Sequence, residues 1–381
     1  MISRAERLFQ MGQSVWLDFI RRGTILSGEF DRLVREQGVV GVTSNPTIFQ
    51  QAIAESSDYD EAIGLRVAKG LAGPALFESI AVEDIQMACD RLRAVFDRTG
   101  GRDGRVSIEV NPRLAHDTPG TIDEARRLHR EVARPNVMVK IPATTEGLPA
   151  IAQMIAEGVC INVTLIFSLA RYGQVMDAHQ SGLERRVAAG QPIDTIFSVA
   201  SFFVSRVDTK VDKFIDVTAA KLPAGNPQRV ELESLRGKAA IANARLAYAR
   251  FRKSIAAPRF KPLAARGARV QRPLWASTST KNPAYPDTMY VDELIGSDTV
   301  NTMPPQTLEA YNDHGRLEVT IDRDLDRARM LFDRLPELGV PIERLIDELE
   351  PEGVAAFAKS YEALLAALEA RRREVAAARD A

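Results

Sequence analysis

The chain has 381 residues, of which 45% are hydrophobic and 27% charged, and its formal net charge is −1. This is the composition of an ordinary globular protein, long enough for one large domain or two small ones. No apolar run approaches the ~20 residues of a membrane-spanning helix. The first residues also lack the apolar core of a signal peptide. We therefore expect a cytoplasmic protein without a membrane partner.

Cysteine and histidine usage points away from disulfide and metal chemistry. The two cysteines, Cys89 and Cys160, are too few for a disulfide framework, which fits a reducing cytoplasm. The four histidines are scattered and form no ligand-spaced motif with Cys or Glu. Neither a GxGxxG fingerprint nor a phosphate-binding P-loop is present. We expect neither a metal nor a cofactor.

Short apolar runs rich in β-branched residues alternate along the chain with longer amphipathic stretches. Eight alternations of strand and helix predict an α/β fold, a (β/α)8 TIM barrel. A doubly wound sheet is the alternative at the level of fold. The predicted strands are 15–19, 39–43, 106–110, 137–141, 160–167, 196–203, 273–277 and 298–303, and the clearest intervening helices are 123–133, 148–157, 173–189 and 232–256.

Additional helices are predicted in two long connections and after the last strand. The connection 50–104 is expected to hold at least two helices with a break near 70–74, and 207–272 to hold another long helix. Helices at 321–335 and 353–373 follow the eighth strand. We expect one domain over 1–381, with the barrel at about 12–335 and a C-terminal helical extension at about 336–373.

The segment 234–286 contains no Asp or Glu but twelve Lys or Arg residues. Such a basic segment fits nucleic-acid binding in principle. Its aromatic residues show no stacking pattern, and the net charge of the whole chain is close to zero. A solvated basic face, or a field that steers anionic metabolites, is the favoured interpretation, and we expect no nucleic-acid partner.

The stretch NVMVKIP, residues 136–142, places Lys140 inside an otherwise apolar strand. Val137, Val139 and Ile141 share one face, so Lys140 lies on the other face with Met138. Lysine is almost never fully buried without a partner. Burial disfavours the charged ammonium and yields a free amine that attacks carbonyls. A strand-end lysine paired with a carboxylate is the alternative, and this stretch alone does not decide between them.

Side chains alternate between the two faces of a strand. Near the ends of seven consecutive strands, the polar residues lie on the face opposite the apolar residues. In a barrel strand, alternate side chains face the lumen, and catalytic groups collect where strands end. Capping or backbone hydrogen bonding explains each polar residue singly, but not their convergence on one mouth. The set comprises Asp18, Thr43, Asn45, Ser107, Glu109, Asn111, Lys140, Asn162, Thr164, Ser201 with Phe203 and Arg206 beyond it, and Ser277 and Ser279 followed by Lys281.

Schiff-base chemistry fits this set. Lys140 can attack a ketose carbonyl, Glu109 on the neighbouring strand can dehydrate the carbinolamine through a shuttled water, and Asp18 can take the hydroxyl proton at the cleaved bond. Arg206 and Lys281 can hold a terminal phosphate, arginine as a fork and lysine as a point charge. The side chains predicted to hold sugar hydroxyls are Asn45, Asn162, Thr164 and Ser201.

At these residues the chain closely resembles the transaldolases. The segments that carry the resemblance are GVTSNPTIF (41–49), VSIEVNPRLAHDT (106–118), VMVKIPATTEG (137–147), INVTLIFS (161–168), ASFFVSRVD (200–208) and WASTSTKNPAYPD (275–287). Several such motifs in order are highly specific, and they span most of the chain. The resemblance implies an α/β barrel and a metal-free Schiff-base transferase of the pentose phosphate pathway acting on sugar phosphates.

The resemblance also implies roles for individual residues. Lys140 is expected to form the imine, Glu109 to act through water with help from Thr164, and Arg206 to bind phosphate. The common short form of the family has arginine where this chain has Lys281 in STSTKN, a stretch associated with a longer bacterial branch. Lys281 keeps the charge without the bidentate geometry. Ser279 and Phe203 complete the expected substrate-binding set.

Two alternatives remain beside the transaldolase. Fructose-6-phosphate aldolases share the barrel and the lysine but release dihydroxyacetone. They are much shorter and tend to carry Gln and Tyr where this chain has Glu109 and Phe203, so transfer is favoured. A non-catalytic protein that binds sugar phosphates or RNA would be expected to have lost Lys140 or Glu109. A monomer or homodimer is expected.

Overall fold

The computed structural model of the chain describes residues 2–380, with side chains as far as residue 375. Eight parallel strands close into a barrel in chain order, each paired with its neighbours along the sequence and the eighth paired with the first. The predicted (β/α)8 barrel is confirmed. The strands are β1 Gln13–Leu17, β2 Gly41–Val42, β3 Arg105–Glu109, β4 Val137–Pro142, β5 Ile161–Ile166, β6 Ser198–Phe203, β7 Gln271–Ala276 and β8 Thr299–Met303.

Helices surround the barrel and fill both long connections. The helices up to β4 are α1 Arg4–Gln10, α2 Arg22–Leu26, α3 Glu29–Glu36, α4 Pro46–Ala54, α5 Asp60–Val67, α6 Gly73–Arg91, α7 Arg93–Arg98 and α8 Thr118–Val132, with a 3-10 turn at Pro112–Leu114. The later helices are α9 Gly147–Glu157, α10 Leu169–Ala188, α11 Ser205–Ala219, α12 Pro227–Ser234, α13 Ala239–Ala256, α14 Lys261–Ala264, α15 Met289–Asp292, α16 Pro305–His314, α17 Leu325–Glu337, α18 Ile342–Asp347 and α19 Leu349–Asp380.

The second strand is much shorter than predicted, with Gly41–Val42 paired instead of 39–43. The strand accommodates the large indole of Trp16 on the neighbouring strand. A Cβ at Gly41 would lie 2.6 Å from ring atoms of Trp16, so only glycine fits there. This close approach lets a fully buried indole fill the barrel without displacing β2.

Several predicted helices have different bounds in the structure. The helices predicted at 123–133 and 173–189 begin earlier, at Thr118 and Leu169. The helix predicted at 232–256 is two helices, α12 and α13, because Gly237 adopts a left-handed φ of +70° between them. The helix predicted at 321–335 begins at Leu325, after Asp324 with φ of +53°. The helix predicted at 353–373 is longer and runs from Leu349 to Asp380. The predicted break near 70–74 is confirmed between α5 and α6.

The strand register places functional side chains side by side. Glu109 on β3 is the partner of Lys140 on β4, which in turn is the partner of Asn162 on β5. One layer of the lumen is a polar chain in which the Asn162 amide donates to Ser107 Oγ at 3.0 Å and Ser201 Oγ donates to the Asn162 carbonyl at 2.7 Å. This layer is fully buried and fixes the floor beneath Lys140.

The C-terminal helix α19 lies across the carboxyl end of the barrel and packs against α4. Thr47 Oγ1 donates to Ser360 Oγ at 2.9 Å, and Arg371 forms a two-armed ion pair with Asp60 on α5. Leu364 and Leu368 on the inner side of α19 are almost completely buried. The long connection after β2 therefore serves as the platform on which the C-terminal helix is held over the mouth.

The acid-free segment 234–286 is not one continuous basic face. Four of its twelve cations form ion pairs with carboxylates from other parts of the chain: Arg236 with Asp216, Arg245 with Glu293, Arg259 with Asp177 and Glu184, and Arg272 with Asp103. Within residues 2–380, no helix combines the length and the apolar character required to cross a membrane.

Candidate active site

A cavity of about 320 Å³ opens at the carboxyl ends of the strands. Nine of the eleven predicted site residues line it: Asp18, Asn45, Lys140, Thr164, Ser201, Phe203, Arg206, Ser279 and Lys281. The other two lie directly beside or below it, since Glu109 contacts Lys140 and Asn162 lies in the buried layer of the lumen. The structure thus brings the whole predicted set together at one end of the barrel.

The centre of the site is the pair formed by Lys140 and Glu109. Lys140 Nζ lies 3.2 Å from Glu109 Oε2 and 3.2 Å from the carbonyl oxygen of Ser44. Only 5% of the Lys140 side chain and 6% of the Glu109 side chain are exposed. The partner required by a buried lysine is therefore the same carboxylate that Schiff-base chemistry needs beside it. The two interpretations of Lys140 left open by its strand converge on one geometry.

Two carboxyl groups face this lysine in an environment that favours their protonated form. Burial raises the pKa of Glu109, and the nearby Lys140 ammonium opposes the shift without cancelling it. Burial also raises the pKa of Asp18, again against the attraction of Lys140 and the hydrogen bond from Thr43. Each group is therefore closer to exchanging a proton near neutral pH than a solvent-exposed carboxylate is.

The Asp18 carboxylate is held at the end of β1 by two threonines. Thr43 Oγ1 donates to Asp18 Oδ1 at 2.7 Å and lies 2.7 Å from Thr302 Oγ1 on β8. The Asp18 amide bonds to the Met303 carbonyl, which extends the β1–β8 ladder by one residue. This arrangement aims the carboxyl group into the cavity. Thr302 is a contributor that strand-by-strand reasoning did not select.

The β5 side chains divide into one at the cavity wall and one below it. Thr164 lines the cavity, and its buried hydroxyl has no hydrogen-bond partner among the residues that the structure describes. A buried hydroxyl of this kind is suited to hold a water or a substrate hydroxyl. Asn162 is 0% exposed. Its side-chain nitrogen donates to Ser107 Oγ, and its side-chain oxygen accepts from Ser201 Oγ. Asn162 therefore holds Ser201 in position within the buried polar layer below the cavity. Its direct contact with substrate stays a prediction.

Asn45 caps the helix that follows β2. Its side-chain oxygen accepts from the Ile48 amide at 3.0 Å, and Pro46 occupies the first helical position. The sequence NP thus starts α4, and three residues separate the end of β2 from Pro46. Because the oxygen is used by the cap, the amide nitrogen of Asn45 is the part that can donate to a ligand in the cavity.

One end of the cavity is cationic. Arg206 lies in the first turn of α11, where the helix dipole favours anions, and no carboxylate of the described residues pairs with it. Burial lowers the pKa of its guanidinium. Lys281 Nζ donates to Ser279 Oγ at 2.7 Å on the opposite wall. These two cations are suited to bind an anion such as phosphate.

Ser279 and Lys281 reach the cationic end of the cavity from an irregular loop after β7, and not from a continued strand as predicted. The predicted strand 273–277 ends one residue early, at Ala276, because Ser277 adopts a left-handed φ of +58°. Alternation along a strand therefore does not apply to Ser279 and Lys281. Both nevertheless line the cavity, carried there by the irregular loop.

Phe357 of α19 lies over the mouth of the cavity, and no strand or motif pattern points to it. Its ring centroid lies 5.6 Å from Lys140 Nζ and 6.0 Å from the Arg206 guanidinium, and the residue is 5% exposed. Phe203 on β6 packs under the same guanidinium at 5.3 Å. The cationic groups are therefore bounded by aromatic faces that attract them and exclude water.

No group of three or more His, Cys, Asp or Glu side chains is arranged to hold a metal ion in the part of the chain that the structure describes. Both cysteines are free and buried, so neither presents a thiol to the cavity. The side chains at this site supply an amine, two carboxyl groups, hydroxyls and cations.

Comparisons with known proteins identify the family. The family model for transaldolase/fructose-6-phosphate aldolase matches residues 15–368. A transaldolase of Frankia alni is 50% identical over 366 residues, which cover 96% of each chain. A transaldolase of Thermobifida fusca is 50% identical over 366 residues, 96% of this chain and 97% of the relative. Transaldolase 1 of Streptomyces coelicolor is 48% identical over 95% of this chain and 93% of its own. The chain therefore belongs to the transaldolase/fructose-6-phosphate aldolase family, as its motifs predicted, and is a transaldolase-type enzyme.

Proposed function

We propose that this enzyme moves a dihydroxyacetone unit between sugar phosphates through an imine on Lys140. The donors would be sedoheptulose 7-phosphate or fructose 6-phosphate, and the acceptors glyceraldehyde 3-phosphate or erythrose 4-phosphate. The observation that carries the proposal is a buried lysine amine 3.2 Å from a buried glutamate at the mouth of the barrel. The names of the relatives support transfer as the reaction.

Imine formation uses the Lys140–Glu109 pair. The free amine attacks the ketose carbonyl, and the carbinolamine loses its hydroxyl as water when a proton is supplied. Glu109 takes the proton that Lys140 must lose and returns it, through a water, to the departing hydroxyl. Its raised pKa suits it to both steps, because the group must hold the proton before giving it up. The Thr164 hydroxyl, which has no hydrogen-bond partner among the described residues, would orient that water.

Bond cleavage uses Asp18 and the imine together. Asp18 accepts the proton from the hydroxyl on the carbon that leaves, and the C–C bond between this carbon and the one next to the imine breaks. The leaving fragment becomes an aldehyde, and the electron pair of the broken bond moves into the protonated imine to give an enamine. The enamine then attacks the acceptor aldehyde, Asp18 returns its proton, and water releases the new ketose from Lys140.

Transfer requires that the enamine outlive departure of the first aldehyde. A water that reached the intermediate with a proton would release dihydroxyacetone and turn the enzyme into a lyase. Phe203 and Phe357 line the cavity with aromatic rings, which cannot hydrogen-bond such a water. Residues with a hydroxyl group at these positions would hold it. This supports transfer over release, since the aldolase branch tends to carry Tyr in place of Phe203.

The phosphate of donor and acceptor would be bound by Arg206, Ser279 and Lys281. The chain places one guanidinium and one ammonium there, so the fork geometry of a second arginine is missing. We propose a cytoplasmic enzyme without metal, cofactor, nucleic-acid or membrane partner, as a monomer or homodimer. The cation pairs formed by the segment 234–286 support the view that it is not a nucleic-acid surface.

The test is a transfer assay with fructose 6-phosphate as donor and erythrose 4-phosphate as acceptor, in the presence of a chelator. Glyceraldehyde 3-phosphate should exceed one equivalent per enzyme only when the acceptor is present, and sedoheptulose 7-phosphate should form with it. Lys140→Met should abolish it, whereas Lys253→Met, at an exposed lysine away from the cavity, should not. Formation of free dihydroxyacetone without acceptor would support the lyase, and activity in Lys140→Met would overturn the imine.

A further inference from the structure

The barrel has a second lumen-facing cavity, of about 240 Å³, at the opposite end from the candidate active site. It lies where the strands begin: Arg105 is the first residue of β3, and Arg272 is the second residue of β7. We refer to it as the basal cavity. Its wall includes two aromatic residues, Trp16 and Phe197, one carboxylate, Asp298, and four arginines: Arg102, Arg105, Arg269 and Arg272.

One of the four arginines has a complete structural role. Arg272 donates to Asp103 Oδ1 at 3.0 Å and to Ser14 Oγ at 2.8 Å. Both oxygens of the fully buried Asp103 are occupied, because Trp16 Nε1 donates to Oδ1 at 3.1 Å and Ser14 Oγ donates to Oδ2 at 3.0 Å. This network ties the base of the barrel together and engages both carboxylate oxygens of Asp103.

The remaining three guanidinium groups are in excess of the available carboxylates. Arg105 is 2% exposed, and its polar contacts are the carbonyl oxygens of Gly101 and Pro135. Among the described residues, Arg269 donates to the Asp194 carbonyl alone, at 3.3 Å. Neither has a carboxylate within ion-pair distance among residues 2–375.

Arg102 is only weakly paired. Its Nη2 lies 3.5 Å from Asp298 Oδ1, and its Nε lies 4.0 Å from Asp103 Oδ2. The Nε atom is buried and has no hydrogen-bond partner among the described residues. A buried donor without an acceptor costs about 1–3 kcal/mol, more when the donor is charged. Of these three cations, only Arg102 lies within ion-pair distance of Asp298, and the three like charges repel one another as well.

Aromatic rings hold two of these cations in place without neutralising them. The Arg105 guanidinium lies 4.4 Å from the Phe197 ring centroid and 4.9 Å from that of Phe96, and Arg269 lies 5.7 Å from the Phe197 centroid. Stacking fixes the orientation of a guanidinium while its N–H groups remain available in the ring plane. Planar, preoriented guanidinium groups are the groups that best bind phosphate oxygens.

From this surplus of fixed, weakly paired guanidinium groups we propose that the basal cavity binds a small phosphate dianion, as inorganic phosphate or as a phosphate monoester. Such an anion carries a charge of about −1.5 to −2 near pH 7 and offers three or more acceptor oxygens. It would supply the acceptor that Arg102 Nε lacks and balance the charge of Arg105 and Arg269. This site is separate from the phosphate end of the active site, at the other end of the lumen.

Calorimetric titration with inorganic phosphate tests the proposal, in the full-length double variant Arg206→Ala/Lys281→Ala, which lacks the cations of the active-site phosphate end. One phosphate should still bind per chain. Adding Arg102→Ala and Arg269→Ala should weaken that binding at least tenfold, and Arg266→Ala, at an exposed arginine of the same loop, should leave it unchanged. Arg269→Ala alone, at an exposed residue, provides the same comparison if the combined variant does not fold.

Thermal denaturation provides the second readout. The melting temperature of the double variant should rise with phosphate but not with chloride at equal ionic strength, and the rise should disappear with Arg102→Ala/Arg269→Ala. Glycerol 3-phosphate in place of phosphate distinguishes the source, since tighter binding of the ester indicates a monoester site. Loss of all phosphate binding with Arg206→Ala/Lys281→Ala, or binding unaffected by removal of Arg102 and Arg269, would overturn the proposal.

Discussion

Replacement of Phe357 by alanine should convert part of the transfer activity into release of dihydroxyacetone. The ring covers Lys140 Nζ at 5.6 Å, within the distance at which an aromatic face attracts a cation. Loss of a contact worth about 0.5–2 kcal/mol from the cationic imine corresponds to a decrease of about 2- to 30-fold in the transfer rate. The opened mouth also admits water to the enamine, so the fraction of donor that appears as free dihydroxyacetone should rise.

The same substitution has a cost in stability that must be separated from the catalytic effect. Phe357 is 5% exposed, so nearly all of its side chain is buried. Burial of about 150–250 Å² at ~25 cal/mol per Å² gives about 4–6 kcal/mol, an upper bound because unfolded chains already bury part of this surface. Measured Phe-to-Ala truncations cost about 3–5 kcal/mol.

A matched variant on the same helix separates the two effects. Leu364→Ala removes a 0% exposed side chain of α19 that lies outside the cavity wall, at an expected cost of about 2–5 kcal/mol. Thermal denaturation should show both variants destabilised, and the assay should show increased release of dihydroxyacetone only for Phe357→Ala. Equal partition between transfer and release in both variants would refute the role of Phe357 as a seal.

Three further variants test other parts of the site and the fold. Glu109→Gln should lower transfer by about 10²–10⁴-fold, and retention of the parent rate of borohydride-trapped adduct would contradict its role in imine formation. Phe203→Tyr adds a hydroxyl that can hold water in the cavity, so free dihydroxyacetone should increase; no increase counts against water control there. Burial raises the pKa of Asp208 from 3.8 to about 7, so the folded state holds this proton more tightly than the unfolded state, and stability should decline as pH rises from about 4 through 7. A shift of about three units corresponds to at most about 4 kcal/mol, and Asp208→Asn should flatten this decline in urea titrations at several pH values; an unchanged slope would contradict the assignment.

The side chains that face the lumen could be predicted from the sequence, because the two-residue alternation along a strand sets the face on which each side chain lies. Alternation along a strand puts Lys140, Glu109 and Thr164 on the lumen side, and the observed register then sets Lys140 beside Glu109. Asn162 follows the same parity but lies one layer deeper, in the buried floor. Alternation along a strand predicts whether a side chain faces the lumen. It does not predict how far below the mouth of the barrel the side chain lies.

The misses have two causes, local backbone conformations that hydrophobic periodicity does not show and one long-range contact. Apolar periodicity continues through 232–256, so it conceals the left-handed turn at Gly237 that separates two helices. Ser277 ends β7 early by a backbone conformation that no neighbouring residue signals. Phe357 reaches Lys140 only because α19 folds back across the mouth, and the sequence of an amphipathic helix does not say which surface it covers.

The most direct test of the account is mass spectrometry of the protein after incubation with fructose 6-phosphate and borohydride. The account predicts a reduced three-carbon adduct on Lys140 and on no other lysine, because the imine forms there and the C–C bond breaks while it is attached. The adduct should be absent from Lys140→Met and present in Lys253→Met. A folded protein that shows no adduct, or an adduct on another lysine, would contradict the central claim that Lys140 carries the chemistry.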